Sequence, residues 1–254
     1  MMPIVVKRDG PVTIIEISRP ESRNAIDGET ARLLREAWLA FEADEAAQVG
    51  VLTGGNNVFC AGADLKALDT LVDQVDSPYG PLGFTRMFIS KPTIAAIAGY
   101  AVAGGLEIAC WCDLRIADET AIFGCFERRF GVPLIDGGTQ RLPQIVGLGR
   151  ALDMIMTGKA LVAKEAHQIG LVNEVVPVGT HVARAIEIGK RIAAYPQVAL
   201  NNDRRAVYEG LNTTLEEGLK IEARWGAKTM ASGEAFAGAD AFRKGAGRSG
   251  TKID

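Results

Sequence analysis

Between Tyr100 and Asp113 the chain reads YAVAGGLEIACWCD, a paired glycine leading into a helix-like apolar run that carries an acid, Glu107, three residues after Gly104. Such a turn can aim a backbone N–H at a ligand. A second stretch, Cys60-Ala61-Gly62-Ala63-Asp64-Leu65, follows the apolar run Val49-Gly50-Val51-Leu52-Thr53 and again reads as a strand feeding a small-residue turn into a helix. Free N–H groups at helix starts carry partial positive charge, so a converging pair would stabilise an oxyanion forming on a carbonyl. The same glycines would also serve tight strand-to-helix turns with no chemistry at all.

Glu107 lies within Leu106-Glu107-Ile108-Ala109, where a solvated surface charge is out of place. A further acid, Glu127, closes Phe123-Gly124-Cys125-Phe126-Glu127, and Gly137-Gly138-Thr139-Gln140-Arg141-Leu142 follows. With Arg19-Pro20, Asn24-Ala25 and a helical C-terminal third, these segments resemble the crotonase (enoyl-CoA hydratase/isomerase) superfamily, and most of all its enoyl-CoA hydratases. The resemblance spans nearly the whole chain. Each motif alone is weakly specific; their order and spacing carry the likeness.

The resemblance implies an α/β fold, a crotonase-like ββα spiral core over residues 1–195, followed by a helical C-terminal region, 196–254, used in oligomerisation and in covering coenzyme A. It implies that the N–H groups of Ala63 and Gly104 form an oxyanion hole. Glu107 and Glu127 fall on the paired acids of hydratase members, with Glu127 as the main acid/base and Glu107 as water orienter and co-base. A carboxylate pair beneath a dry acyl pocket has coupled, perturbed ionisation, which lets one act as acid while the other acts as base. The implied reaction adds water to trans-2-enoyl-CoA to give 3-hydroxyacyl-CoA. No cofactor is implied beyond the coenzyme A of the substrate thioester itself.

Substrate contacts are expected from Ala61, Asp64, Leu65, Lys66, Arg23, Gly105, Ile135 and Asp136. Lys66 is the better candidate for the nucleotide, with Arg19, Arg23 and, in the C-terminal segment, Lys244 as further cations; Arg23 equally suits an ordinary solvated surface position. Departures from the hydratase pattern cluster near Glu127. Phe126 stands where a proline is common, and Leu134-Ile135-Asp136 fills a stretch that typical hydratases keep glycine-rich. Ile135 is therefore expected to shorten or reshape the acyl site. Asp136 adds a third carboxylate, one residue from where isomerase and dehalogenase relatives place theirs, or else caps a helix beginning near Gly138.

Two rival readings share the fold: an enoyl-CoA double-bond isomerase using Glu127 with Asp136, and a non-catalytic acyl-CoA- or RNA-binding member. Retention of both acids disfavours the latter. A homotrimer or homohexamer is implied by the resemblance, while Trp38, Trp111 and Trp225 suit a subunit interface and a monomer core equally.

Bulk properties bound these readings. With 254 residues and 48% hydrophobic composition the chain can bury a sizeable core in one domain with a helical appendage. Net charge is -3, which gives neither a nucleic-acid footprint nor strong long-range attraction of anions. The start, Met1 to Arg8, reaches charge too soon for a signal-peptide core, and no run of about eighteen apolar residues is found, so no membrane partner and a soluble cytoplasmic protein are expected. Cys60, Cys110, Cys112 and Cys125 lack histidine partners other than His167 and His181, so reduced, buried thiols are expected and no metal.

The positioning elements follow from periodicity. Ile4–Lys7 and Val12–Ile17 around Asp9-Gly10 predict a hairpin. Ala31, Leu34, Trp38 and Phe41 predict a helix with Asp27 as N-cap. Short apolar runs at 49–53, 93–98, 114–117 and 171–176 predict a buried, largely parallel sheet. Residues 69–83 are dense in turn formers and predict a mobile surface loop. From Thr180 helices dominate, broken near Tyr195-Pro196, and 245–254 is expected to fray.

Overall fold

The hairpin forms as the sequence predicts. In the computed structural model, which describes residues 2–246, β1 (Ile4–Asp9) and β2 (Val12–Ile17) pair antiparallel, with Asp9 opposite Val12 across a Gly10-Pro11 turn in which Gly10 has φ +59°. Asp27 caps α1 (Gly28–Ala43) by accepting the Thr30 N–H, and Ala31, Leu34, Trp38 and Phe41 form its buried face. That face presses on β3 (Val49–Thr53) where Gly50 leaves room: a Cβ there would lie 2.6 Å from the Trp38 ring.

Beyond β3 come α2 (Asp69–Val72), β4 (Thr93–Ile97), β5 (Tyr100–Val102), α3 (Gly104–Trp111), β6 (Leu114–Asp118), β7 (Ile122–Gly124), α4 (Gly138–Val146) and α5 (Leu148–Thr157). Then follow β8 (Leu161–Val162), α6 (Ala163–Gln168), β9 (Glu174–Val176) and α7 (His181–Ala193). One sheet has the order β1-β2-β3-β4-β6-β9, parallel from β2 onward, and a smaller sheet has the order β5-β7-β8. From β4 to β7 the chain winds back and forth between the two, β4 and β6 lying in the large sheet and β5 and β7 in the small one. Every residue of β3 and β4 is buried, which is why these central strands read as unbroken apolar runs.

Two expectations are corrected. Leu171 and Val172 are not strand: their N–H groups return to the Ala166 carbonyl and close the end of α6, leaving only 174–176 for β9. Residues 69–83 are not a surface loop throughout, because α2 forms at their start and Gly80 to Thr85 are buried. Of the two places open to the tryptophans, the core takes Trp38 and Trp111, whose rings meet edge to face 4.8 Å apart beside Phe84. All four cysteines are free and buried.

The chain divides into two compact units between Lys190 and Arg191. The second contains α8 (Gln197–Gly210), α9 (Leu215–Ser232) and α10 (Glu234–Arg243), of which α9 starts with a Thr214/Glu217 capping box. Trp225 belongs here, its Nε1 donating to Glu209. The expected fraying of 245–254 falls, from residue 247 on, outside the described residues.

Candidate active site

Register in the small sheet brings the two turns together. Cys60 forms a parallel bridge with Ala101, and Ala101 pairs with Phe123. Three residues beyond Cys60 and Ala101 stand Ala63 and Gly104, and four beyond Phe123 stands Glu127. Strands in parallel register end together, so these residues emerge at one carboxyl edge, where ligands bind in open α/β sheets.

The Ala63 N–H is aimed by a second bridge. Ile26 donates to the Gly62 carbonyl and accepts from the Asp64 N–H, both at 2.8 Å, so the N–H of Ala63 between them faces away from that bridge. Ile26 is held by the Arg19-Pro20 and Asn24-Ala25 motif. Asn24 Nδ2 donates to Gly54 and Val58 carbonyls at 2.9 and 2.6 Å, and its Oδ1 accepts from the Arg19 N–H. Gly104 is the first residue of α3, where N–H groups have no intrahelical acceptor. Neither amide has a hydrogen-bond partner among the described residues. The two turns nearly touch: a Cβ on Gly62 would fall 2.7 Å from the Gly104 nitrogen, and one on Gly104 would fall 3.5 Å from the Ala63 nitrogen. Ala103, which opens α3, holds φ +53° and ψ -128°, a costly conformation for a residue with a Cβ.

Glu107, on the first turn of α3, is 3% exposed. Its Oε1 accepts N–H groups from Asp136 at 2.9 Å and Gly138 at 2.7 Å, yet burial and then the charge of Asp136 push its carboxyl up to about 8. Glu127, on the 3-10 turn Phe126–Arg129, is 4% exposed, and neither of its carboxylate oxygens has a partner. Burial raises its carboxyl above the ordinary range as well. Both acids and both amide-bearing residues line one cavity of about 410 Å³. The rest of that wall is largely apolar, with Leu68, Leu71, Leu82, Phe126, Phe130 and Ile135 prominent.

Comparison with known proteins assigns the chain. A family model described as enoyl-CoA hydratase/isomerase matches residues 7–245. The chain belongs to the enoyl-CoA hydratase/isomerase family. A crotonyl-CoA hydratase of Syntrophomonas wolfei is 35% identical over 87% of this chain and 86% of its own length. The mitochondrial enoyl-CoA hydratase of Pongo abelii is 36% identical over 92% and 82%. A crystal structure of an enoyl-CoA hydratase from Mycobacterium marinum superposes with TM-score 0.90 at 33% identity, covering 95% of this chain and 96% of that one. The α/β spiral is therefore the crotonase fold.

Within this family member the expected contact residues separate into two groups. Ala61, Leu65, Ile135 and Asp136 line the cavity with Ala63, Gly104, Glu107 and Glu127. Asp64, Lys66, Arg23 and Gly105 do not. Asp64 pairs with Arg19 at 3.2 Å and accepts the Lys66 N–H, Lys66 and Arg23 are exposed, and Arg23 offers its carbonyl to the Ala61 N–H. Gly105 is a packing position, since a Cβ there would collide with the Cys60 carbonyl. Asp136 does not cap α4; Gly137, at φ +101°, takes that place with no side-chain bond. Lys244, in the second unit, pairs with Asp240 at 2.9 Å.

Sequence reasoning missed the wall residues Leu68, Leu71, Leu82 and Phe130. A signal existed for the first two: Leu65, Leu68, Leu71 and Val75 recur at helical spacing between polar residues. Among the described residues no group of three or more His, Cys, Asp or Glu side chains could hold a metal ion, and no helix is long and apolar enough to cross a membrane.

Proposed function

We propose that the protein adds water to trans-2-enoyl-CoA thioesters to give 3-hydroxyacyl-CoA. The observation that carries this reading is one apolar cavity lined both by two amide-bearing turns without acceptors and by two buried carboxyl groups. The names of the relatives, hydratases of crotonyl-CoA and enoyl-CoA, point the same way.

In the proposed mechanism the thioester oxygen lies between the N–H groups of Ala63 and Gly104. These donors stabilise the negative charge that gathers on that oxygen as the β-carbon is attacked, each contributing on the order of 3 kcal/mol at the transition state. Glu107, neutral near pH 7, keeps its Oε1 committed to two main-chain donors and uses its other oxygen to orient the water. Glu127, with both oxygens free of protein partners, takes the proton from that water as its oxygen bonds to the β-carbon. The π electrons move to the α-carbon, which then receives the proton from Glu127. One water is consumed, the Glu127 carboxylate is regenerated, and no cofactor takes part; coenzyme A enters as part of the substrate. On this reading Glu107 acts as orienter more than as base, because its proton is held more tightly than an ordinary carboxylic acid's.

Incubation of purified protein with trans-2-enoyl-CoA, following the loss of conjugated-thioester absorbance and the mass of the product, tests the reading. A product heavier by one water supports it; no reaction with any chain length removes it. The buried carboxyl of Asp136 in the same wall favours a second reading, isomerisation of 3-enoyl-CoA, in which product mass equals substrate mass.

We further infer a homotrimer or homohexamer. No residue of α8, α9 or α10 is buried, and Val207, Leu215, Phe236 and Phe242 are exposed apolar side chains of a kind that subunit contact covers. Sedimentation as a monomer at micromolar concentration would count against this. Four unpaired buried thiols fit a reducing compartment, and the enzyme is read as cytoplasmic.

A further inference from the structure

Asp136 stands where three parts of the site meet. Its main-chain N–H donates to Glu107 Oε1 at 2.9 Å, and its main-chain oxygen accepts from Arg141 Nη1 at 3.0 Å. Its carboxylate Oδ1 accepts from the Leu82 N–H at 3.0 Å and from the Thr85 hydroxyl at 2.5 Å. Arg141 Nη2 donates to the Thr85 carbonyl at 2.6 Å, and Arg86 donates to the Ile135 carbonyl at 3.3 Å, so the seam is fastened along its length. Gly80 fits against it only for want of a side chain: a Cβ there would lie 3.0 Å from Asp136 Oδ1 and would collide with the Thr85 hydroxyl.

The seam joins two functional surfaces. On one side is the carboxyl of Glu107, which lines the cavity; on the other are Pro81 and Leu82, which form part of the same wall. Asp136 is 4% exposed, and burying a carboxylate costs several kcal/mol that an apolar side chain would not incur. A residue chosen for stability alone would not be an acid here.

Resting on the hydratase reading of the site, we propose that Asp136 is a positioning residue: its main chain fixes the carboxyl of Glu107, and its carboxylate holds the Leu82–Thr85 wall against the same loop. Its charge also opposes ionisation of Glu107 and so keeps that residue in the form that orients water. The other titratable groups around Glu107 are Glu127, Cys110 on α3 and Cys125, while Arg141 on α4 and Arg86 lie against Asp136.

Three variants separate the parts. Asp136→Asn keeps shape and an acceptor oxygen but removes charge, Asp136→Ala removes both, and Thr85→Val removes one donor to the carboxylate. Hydration of crotonyl-CoA and of a long-chain 2-enoyl-CoA is measured across pH, with hydrogen exchange at the Leu82 amide. In Asp136→Ala, kcat falls about 10- to 100-fold with KM for the short ester little changed, and Leu82 exchanges faster. In Asp136→Asn, the falling alkaline limb of kcat/KM moves to lower pH, because Glu107 loses its proton more easily. Thr85→Val gives a smaller loss of kcat in the same direction. If all three variants keep wild-type kcat and the wild-type limb, and lose only melting temperature, the positioning role is overturned. Wild-type protein that hydrates no 2-enoyl-CoA would overturn the hydratase reading and this role with it, an outcome told apart by the wild-type assay alone.

Discussion

Cys60 and Ala101 face each other across a parallel bridge, with the Cys60 N–H on the Tyr100 carbonyl at 2.9 Å and the Val102 N–H on the Cys60 carbonyl at 3.2 Å. Each residue lies three positions before an amide without an acceptor. The spacing of the pair is thus set by sheet register, not by the turns themselves. Small residues then let the turns approach as closely as their backbones permit, and any side chain at Gly62 or Gly104 enters the gap between them.

Gly104→Ala is expected to fold, because the nearest atom to its new Cβ, at 2.8 Å, is the end of the flexible Leu82 side chain. The methyl group would crowd the proposed carbonyl seat, and kcat is expected to fall on the order of 100-fold. Gly62→Ala adds strain at φ +94° and meets the Gly104 nitrogen, so it should lose melting temperature as well as rate. Unchanged kcat in folded Gly104→Ala would remove the amide pair from the mechanism.

Glu127→Gln is expected to lower kcat by roughly 10² to 10⁴ while leaving melting temperature equal or higher. The reason for the second half is that both buried oxygens of Glu127 lack partners, so a neutral amide relieves a desolvation cost. Loss of stability together with a modest loss of rate would point to a structural role instead.

Glu107 gives a pH dependence of stability with a definite sign. Its carboxyl is pushed from the ordinary 4.5 up to about 8 in the folded chain, which therefore keeps a proton that the unfolded chain releases across that window. Stability contributed by this group is present below about pH 4.5 and is lost as pH rises to about 8, by roughly a few kcal/mol. Glu127 and Asp136 are shifted in the same direction. Glu107→Gln keeps an acceptor for the Asp136 and Gly138 N–H groups and should flatten much of this slope, leaving the variant more stable than wild type above pH 8. Urea midpoints at a series of pH values would show it; parallel curves for the two proteins would contradict it.

Ala103→Gly should leave stability equal or raise it by up to about 1 kcal/mol, since glycine tolerates φ +53° without steric cost. Ala103→Val, β-branched at the same angle, should destabilise by more than that. Thermal melts of the two variants side by side would test whether this residue is strained as its backbone angles indicate.

Much of the site was legible before any coordinates. Asp27, Ala31, Leu34, Trp38 and Phe41 announced α1 because capping and helical periodicity are local, and the buried strands β3 and β4 announced themselves as apolar runs. The order of Gly62, Ala63, Gly104, Glu107 and Glu127 was likewise available from the chain alone. The small sheet was not: β5 and β7 have three residues each and β8 two, too short for any period to register.

What the sequence by itself determined, then, was which residues carry amides and acids and which segments must be buried, since these depend on residue type and near-neighbour spacing. The tertiary structure alone decided that Cys60, Ala101 and Phe123 share a register, that Gly105 serves packing and Asp64 binds Arg19, and that Asp136 ties Glu107 to Leu82 and Thr85 instead of capping α4. Those relationships join residues 22 to 54 positions apart, and only the close packing of the spiral's turns fixes which of the many possible partners meet.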